Sequence, residues 1–447
     1  MEIKRQKRSR RGINMGRKNI YDKDRSYDLL RYYVDWCTRH SYNAIEVRGR
    51  ENIPTDGAVI IAPNHCNTLM DALVVLQAFR NETVFGARAD MFKVKLIADI
   101  MYFLRILPMV RQRDGLRNVL KNYETQETII ETLEHGVRFC MFPEGRHRPA
   151  HSLLPLGKGV FRAAFAANAR FGSEKPVYIV PTGLEYGDYF RYRSTCLVNF
   201  GKPVNVTELV KSLDVENEAQ MMEPVKRELQ TRMAELRTFI PDGEEYASRW
   251  ALTRMLARDD ARQGTLLDRM KHNRHVISCI EEAAISSPEK MDAILKEAAS
   301  FEEKRKKSRL SIWSFGKRNT VANVLGKTLI ALLGIPYFLF SAVICLPMWL
   351  TFELLRGKLK DRAFHNTAGF GIKLGMGPLV FTGWTIAAFC LVPWPAALLF
   401  SLLTIPSYGF FYDYTEFIRI WISDIRLLGN RKLSKMYNDI IKEFENI

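Results

Sequence analysis

Two runs without a single charge constrain this chain more than any other feature. Thr328 to Phe352 is 25 residues long and Met376 to Phe411 is 36. Crossing a bilayer takes roughly 20 apolar helical residues, so the first run is long enough. Pro336 and Pro347 interrupt it, which a membrane helix tolerates better than a soluble one. The second run is divided by Pro393-Trp394-Pro395 and reads as two short spans, about 376–392 and 395–411, joined by a tight turn. Tyr337, Trp349, Trp384, Trp394 and Tyr408 are candidate interfacial anchors. A buried helical core in a soluble protein is the competing reading, and the closeness of two such runs weighs against it.

The chain of 447 residues carries a formal net charge of +17, which calls for an anionic partner such as nucleic acid, anionic lipid or a phosphorylated substrate. Basic residues crowd both flanks of the first apolar run, Lys304 to Lys327 and Arg356 to Arg362. The positive-inside rule therefore puts both flanks in the cytoplasm, so that run is re-entrant or bent, or else the rule is violated. Residues 1–18 hold eight Lys/Arg against one Glu. No apolar stretch follows, so residues 1–25 read as a basic tail suited to a membrane surface, or merely solvated, rather than a secretory signal. Residues 241–320 are polar and helix-favouring with a break at Ser286-Ser287-Pro288, a helical extension ahead of the membrane region at 321–412. Residues 413–447 read as amphipathic, basic helices. Seven scattered cysteines with no C-x-x-C pair indicate neither a disulfide framework nor a zinc site, and favour a reducing compartment.

Helical and strand patterns alternate to about residue 205, the mark of an α/β domain with a largely buried sheet, taken as residues 26–240. Its centre is Val59 to Asp71, V-I-I-A-P-N-H-C-N-T-L-M-D. Val59 to Ala62 reads as a buried strand ended by Pro63, and Asn67-Thr68 as the cap of a helix over Leu69 to Phe79. His65 then lies at a strand's carboxyl end beside a helix N-terminus, with Asp71 within the first helical turn. That placement suits a general base with a carboxylate to orient it. Thr68-x-x-Asp71 equally fits a capping box with no chemistry, and both readings stand on these residues alone.

A second segment, Phe142-Pro143-Glu144-Gly145-Arg146-His147-Arg148-Pro149, follows a strand expected at Val137 to Phe142. Gly145 lets backbone approach a ligand, while Arg146 and Arg148 offer donors matched to phosphate. Read by itself it is a strand-end anion site or an ordinary polar loop.

In this order the segments resemble the glycerolipid acyltransferases, over roughly residues 45–205. Asn64-His65…Asp71 is similar to the family's first block, in which the histidine is general base and the aspartate orients it. Arg105 to Arg111, ending L-P-M-V-R, resembles the second block, whose phosphate-binding arginine corresponds to Arg111. Phe142-Pro143-Glu144-Gly145 resembles the third, tied to glycerophosphate binding, and Ile179-Val180-Pro181-Thr182 the fourth, which lines an acyl pocket. Two features depart from the pattern. Five residues instead of four separate His65 from Asp71, as in the fungal-type glycerol-3-phosphate/dihydroxyacetone-phosphate branch. Arg146-His147-Arg148 also replaces the usual Thr-Arg-Ser. At that separation the pair cannot meet on one regular helix, so His65 belongs in the loop, with Asp71 reaching back.

The resemblance implies an α/β acyltransferase domain, a mixed sheet flanked by helices, followed by a helical region and C-terminal transmembrane or re-entrant helices. It implies an O-acyltransferase of phospholipid biosynthesis with its catalytic domain on the cytoplasmic side of a membrane. His65 removes the proton of an acceptor hydroxyl, and Asp71 fixes the tautomer. Helix-terminal or loop N–H groups meet the oxyanion. Arg111, Glu144, Gly145, Arg146 and Arg148 form the phosphate site, and Val180 and Pro181 the acyl pocket. The donor is acyl-CoA or acyl-carrier protein, and the acceptor lysophosphatidate, with glycerol 3-phosphate as alternative. No metal or redox cofactor is expected, since no ligand spacing accompanies His147 and His151. Nucleic acid is not expected as a partner, because no aromatic–basic RNA motif or zinc module is present. A non-catalytic membrane-binding protein that keeps the fold is the alternative of another class.

Overall fold

The computed structural model describes residues 19–79, 82–109, 119–213, 217–257, 264–316 and 319–447. The basic tail over 1–18 and Arg111 lie outside the described residues.

The central strand shows why the sheet forms where it does. β2 (Ala58–Pro63) has no exposed residue. Successive strand side chains point to opposite faces. Ala58, Ile60 and Ala62 therefore enter one apolar core with Phe139, Phe161, Leu229 and Met233. Val59 and Ile61 enter the other with Met70, Val74, Phe200 and Tyr186. The unbroken apolar run is what a strand buried on both faces requires.

Around it stand β1 (Ala44–Arg48), β3 (Thr83–Arg88), β4 (Ile106–Met109), β5 (Arg138–Cys140), β6 (Val177–Tyr186), β7 (Thr195–Phe200) and β8 (Val204–Asn205). The order is β1-β7-β6-β2-β5-β3-β4, with β8 also paired to β6. Pairing is parallel except where β7 and β8 meet β6, so the sheet is mixed. Helices Val119–Glu134, Gly159–Phe171 and Glu218–Glu235 cover one face; Arg25–Arg39 and Leu69–Ala78 cover the other.

One strand differs from the pattern read in the sequence, and another runs through a proline. β5 stops at Cys140, and the chain leaves the ladder after Met141 N–H bonds Ile61 O at 3.0 Å. β6 runs on through Pro181 to Tyr186, although proline has no N–H to give. Pro181 falls where β6 exchanges β8 for β7 as neighbour, so no ladder bond needs that donor. Its carbonyl still accepts from Gly201 N at 2.9 Å.

The extension forms helices Tyr246–Leu256, Leu266–Ser286 and Pro288–Lys307, the break falling at Ser287-Pro288. Its core joins Leu252, Phe301 and Phe315 to Leu427 and to Tyr437 and Ile440 of the last helix, Arg431–Glu445. Leu266 N–H donates to Glu46 of β1 at 2.7 Å, which fastens the extension to the sheet.

Among the described residues, three helices are long and apolar enough to cross a membrane: Val321–Arg356, Ala363–Leu391 and Trp394–Leu428. The turn between the last two falls at Val392-Pro393. The third continues past the uncharged run to Leu428 without a break.

Candidate active site

Beyond β2 the chain is pinned before it turns. Asn64 is buried and imitates a strand: its Oδ1 accepts from Leu184 N at 2.6 Å and its Nδ2 donates to Leu184 O at 3.2 Å. His65 follows in the loop. Helix Leu69–Ala78 begins after Thr68, a β-branched residue at φ 47. Such backbone costs on the order of 1–3 kcal/mol and persists only where surroundings enforce it. Here Thr68 Oγ1 donates to Ala363 O at 3.2 Å and meets Thr367 Oγ1 at 2.6 Å, both on the second apolar helix. Thr68 makes no side-chain cap bond.

The strained turn aims two N–H groups at Asp71. Its Oδ2 accepts from Cys66 N at 2.7 Å and Asn67 N at 2.6 Å. The same oxygen lies 2.8 Å from His65 Nδ1, and Oδ1 accepts from the Tyr186 hydroxyl at 2.7 Å. Asp71 is fully buried, whereas the His65 side chain keeps 18% exposure. The N-terminal N–H groups that a capping box would satisfy are not the ones Asp71 binds. With Nδ1 engaged, Nε2 is the ring nitrogen left to face a substrate.

The loop after β5 holds the histidine from the other side. Glu144 is buried, and its carboxylate accepts from His65 N and from Leu154 N, each at 2.8 Å. Burial pushes its carboxyl up, and the two N–H bonds work against that. The His65 ring stacks on Phe142 at 4.3 Å. His65 O accepts from Arg148 N at 2.9 Å. Gly145 turns at φ 64, a conformation glycine adopts freely.

The residues expected to bind phosphate divide. Arg146 is exposed and makes no hydrogen bond or ion pair among the described residues. Arg148 is tied to Asp242 at 2.7 Å and to Ser152 at 2.6 Å, on the side of the helical extension. Val180 and Pro181 are buried in β6, Val180 within the core that holds Met70 and Cys140. A cleft of about 870 Å³ lined by Arg48, Lys202, Arg232, Lys271 and Arg274 opens at the ends of β1 and β7, away from His65.

His147 and His151, four positions apart in sequence, serve different ends. His147 Nε2 meets Asp361 Oδ2 at 2.8 Å, in the linker between the first two apolar helices, and its ring stands edge-on to His65 at 5.7 Å. His151 is buried against Trp250 at 3.9 Å. Beneath the site, Arg237 donates to Ala150 O at 2.6 Å and to the Tyr189 hydroxyl at 3.2 Å.

A family model for acyltransferases matches residues 44–185, from the first residue of β1 nearly to the end of β6. Residues 44–185 are thus similar to an acyltransferase domain. Over 114 residues it is 29% identical to Glycerol-3-phosphate O-acyltransferase 2 of Saccharomyces cerevisiae, a stretch that makes up 25% of this chain and 15% of the yeast protein. The crystal structure of the 1-acyl-sn-glycerophosphate (LPA) acyltransferase PlsC from Thermotoga maritima shares 20% identity and a TM-score of 0.33, covering 47% of this chain and 83% of that one.

Within the acyltransferase domain the sequence located His65, Asp71 and Glu144 but missed two partners. Tyr186 lies 115 positions from the carboxylate it bonds. Asn366 donates to Tyr189 O at 2.8 Å and to Asn67 Oδ1 at 3.4 Å, which brings the second apolar helix to the rim of the site. The sequence signal for Tyr186 is its place at the end of an apolar strand; for Asn366, it is an amide opening an otherwise apolar helix.

Proposed function

We propose that this protein transfers a fatty acyl group from a thioester, acyl-CoA or acyl-carrier protein, to the hydroxyl of lysophosphatidate. The observation that carries the reading is the 2.8 Å contact between His65 Nδ1 and a buried Asp71 whose remaining bonds are all to fixed donors. A carboxylate so held sets the tautomer and steadies the imidazolium.

In this mechanism His65 Nε2 takes the hydroxyl proton as the oxygen attacks the thioester carbonyl. The tetrahedral intermediate collapses, the C–S bond breaks, and the thiolate takes the proton back from the imidazolium. Glu144 acts by bracketing the His65 and Leu154 main chain. Phosphate recognition falls to Arg111 and Arg146, with Arg148 engaged elsewhere. No metal or redox group enters this scheme. In this reading the protein is membrane-bound with its catalytic domain on the cytoplasmic side; the three long apolar helices support the membrane part.

An apolar helix abutting the His65 loop favours an acceptor that arrives from the bilayer, hence lysophosphatidate. Glycerol 3-phosphate is the second reading, favoured by the yeast relative's name and by the five-residue gap between His65 and Asp71.

The test is incubation of detergent-solubilised full-length protein with radiolabelled acyl-CoA or acyl-carrier protein and each acceptor, products resolved by thin-layer chromatography. Phosphatidate from lysophosphatidate is expected. Product from glycerol 3-phosphate alone moves the assignment to the second reading, and none from either overturns both.

A further inference from the structure

We propose that the apolar helices enter one leaflet of an anionic bilayer and return without crossing it. This rests on the membrane placement proposed above.

Helix Val321–Arg356 has 36 residues and is about 54 Å long. A helix that crosses a bilayer has its ends on opposite aqueous faces, so a soluble body on one face can touch only one of them. Here both ends are tied to the same body. Phe315, just ahead of Val321, is buried in the core formed by Leu252, Phe301 and Tyr437. Asp361, just beyond Arg356, holds His147 of the catalytic loop at 2.8 Å. Between them, Cys345 and Met348 pack with Tyr192, whose hydroxyl meets Ser41 Oγ at 2.9 Å. The helix therefore runs along the soluble body.

The other two helices form a hairpin too short to reach the far side. Leu374 O accepts from Tyr33 of the catalytic domain at 2.7 Å, so the body reaches that far along the second helix. From there to Leu391 the helix rises about 26 Å. On the third helix Tyr408 stands edge-on to Tyr192 at 5.9 Å, and Trp394 lies only about 21 Å from it along the axis. A hydrocarbon core of about 30 Å, with headgroups added, exceeds both lengths. The turn itself is apolar: Leu391 is 81% exposed and Trp394 69%. Nothing in Val392-Pro393 suits a far aqueous surface. Past Tyr408 the third helix returns along the body, with Asp413 bound to Arg193 at 2.8 Å and Ser423 to Ser314 at 2.6 Å.

Charge names the lipid. Lys304, Lys306, Lys307 and Arg309 are exposed before the first helix, Arg356 at its last residue, and Lys358, Lys360 and Arg362 after it. Basic residues beside an inserted segment are drawn to anionic headgroups at roughly 1 kcal/mol each. The same rim on both flanks is what one-sided insertion requires.

The test uses full-length protein in sealed membrane vesicles of both orientations. Carbonate extraction comes first: release into the supernatant overturns the membrane placement itself. In a Cys279→Ser background, an impermeant maleimide then probes Lys358→Cys, Asn446→Cys and native Cys390, each variant checked for retained melting temperature. Lys358→Cys and Asn446→Cys are expected to label from the same face and only that face, and Cys390 only after detergent. Labelling of Lys358→Cys and Asn446→Cys from opposite faces, or of Cys390 from the face opposite Lys358→Cys, overturns one-sided insertion while leaving the membrane placement standing.

Discussion

Thr68 and Thr367 share a hydrogen bond of 2.6 Å across 299 positions of sequence. One shapes the strained turn that presents two N–H groups to Asp71; the other lies in the first turns of an apolar helix. The second apolar helix and the His65 loop are therefore one mechanical unit. Thr367→Val keeps the volume and removes the hydroxyl. A single hydrogen bond contributes about 0.5–1.5 kcal/mol, so kcat is expected to fall roughly two- to tenfold with the melting temperature nearly unchanged. An unaltered kcat contradicts the coupling.

Tyr186→Phe removes only the hydroxyl that bonds Asp71 Oδ1 at 2.7 Å. Hydrogen bonds to charged groups contribute about 1.5–3 kcal/mol, which corresponds to roughly a ten- to hundredfold loss. The loss should appear in kcat with both KM values held, because Tyr186 is buried and reaches His65 only through Asp71. A rise in KM without loss of kcat would place Tyr186 in a binding pocket instead.

Glu144→Gln distinguishes a bracket from a phosphate contact. An amide has one accepting oxygen, so either His65 N or Leu154 N loses its acceptor. A buried unsatisfied donor costs about 1–3 kcal/mol. Lower melting temperature and lower kcat are expected, with the acceptor KM changed less than twofold on the order of one hydrogen-bond geometry. A large increase in acceptor KM alone would restore Glu144 to the phosphate site.

The buried pair His151 and Glu185 makes a pH prediction. Their side chains lie 3.5 Å apart. Burial and the neighbouring Arg237 push the His151 imidazole well down from its usual 6.5. Burial pushes the Glu185 carboxyl up to about 7 from its usual 4.5. The pair thus stands as a neutral ring beside a carboxyl that gains its proton near neutrality. As pH falls from about 7 toward 4.5, folded Glu185 takes up its proton before the unfolded chain does, which adds stability. Below 6.5 the unfolded histidine takes up a proton that folded His151 resists, which removes stability. The two oppose each other, and Glu185→Gln leaves only the loss. Its melting temperature is expected to fall more steeply between pH 7 and pH 5 than that of the wild type. Parallel curves contradict the assignment.

How much of this was legible in the sequence depends on range. β2 and helix Leu69–Ala78 were readable because apolar periodicity and Pro63 are local signals. His65 and Asp71 were readable as a pair, but base and cap could not be told apart. The distinction lies in which N–H groups Asp71 receives, and the positive φ at Thr68 sets that. A threonine in that conformation has no sequence signature. The full length of β6 was hidden by Pro181, whose missing donor matters only if a neighbour needs it. The uncharged runs marked where the apolar helices lie but not their lengths, which are 36, 29 and 35 residues, and their seat on the His65 loop depends on Thr367, Asn366 and Asp361 meeting residues over two hundred positions away. No periodicity carries such contacts. Arg148 looked equivalent to Arg146 until Asp242 claimed it.

The most direct test of the account is the turnover of His65→Ala, measured as acyl transfer to lysophosphatidate alongside its melting temperature. A loop histidine contributes little packing, so the fold should persist. General-base catalysis contributes about 10²–10⁴-fold, and a loss of that size at unchanged acyl-CoA KM is the expected result. A folded His65→Ala protein that turns over within about tenfold of the wild type would contradict the dyad as the source of catalysis.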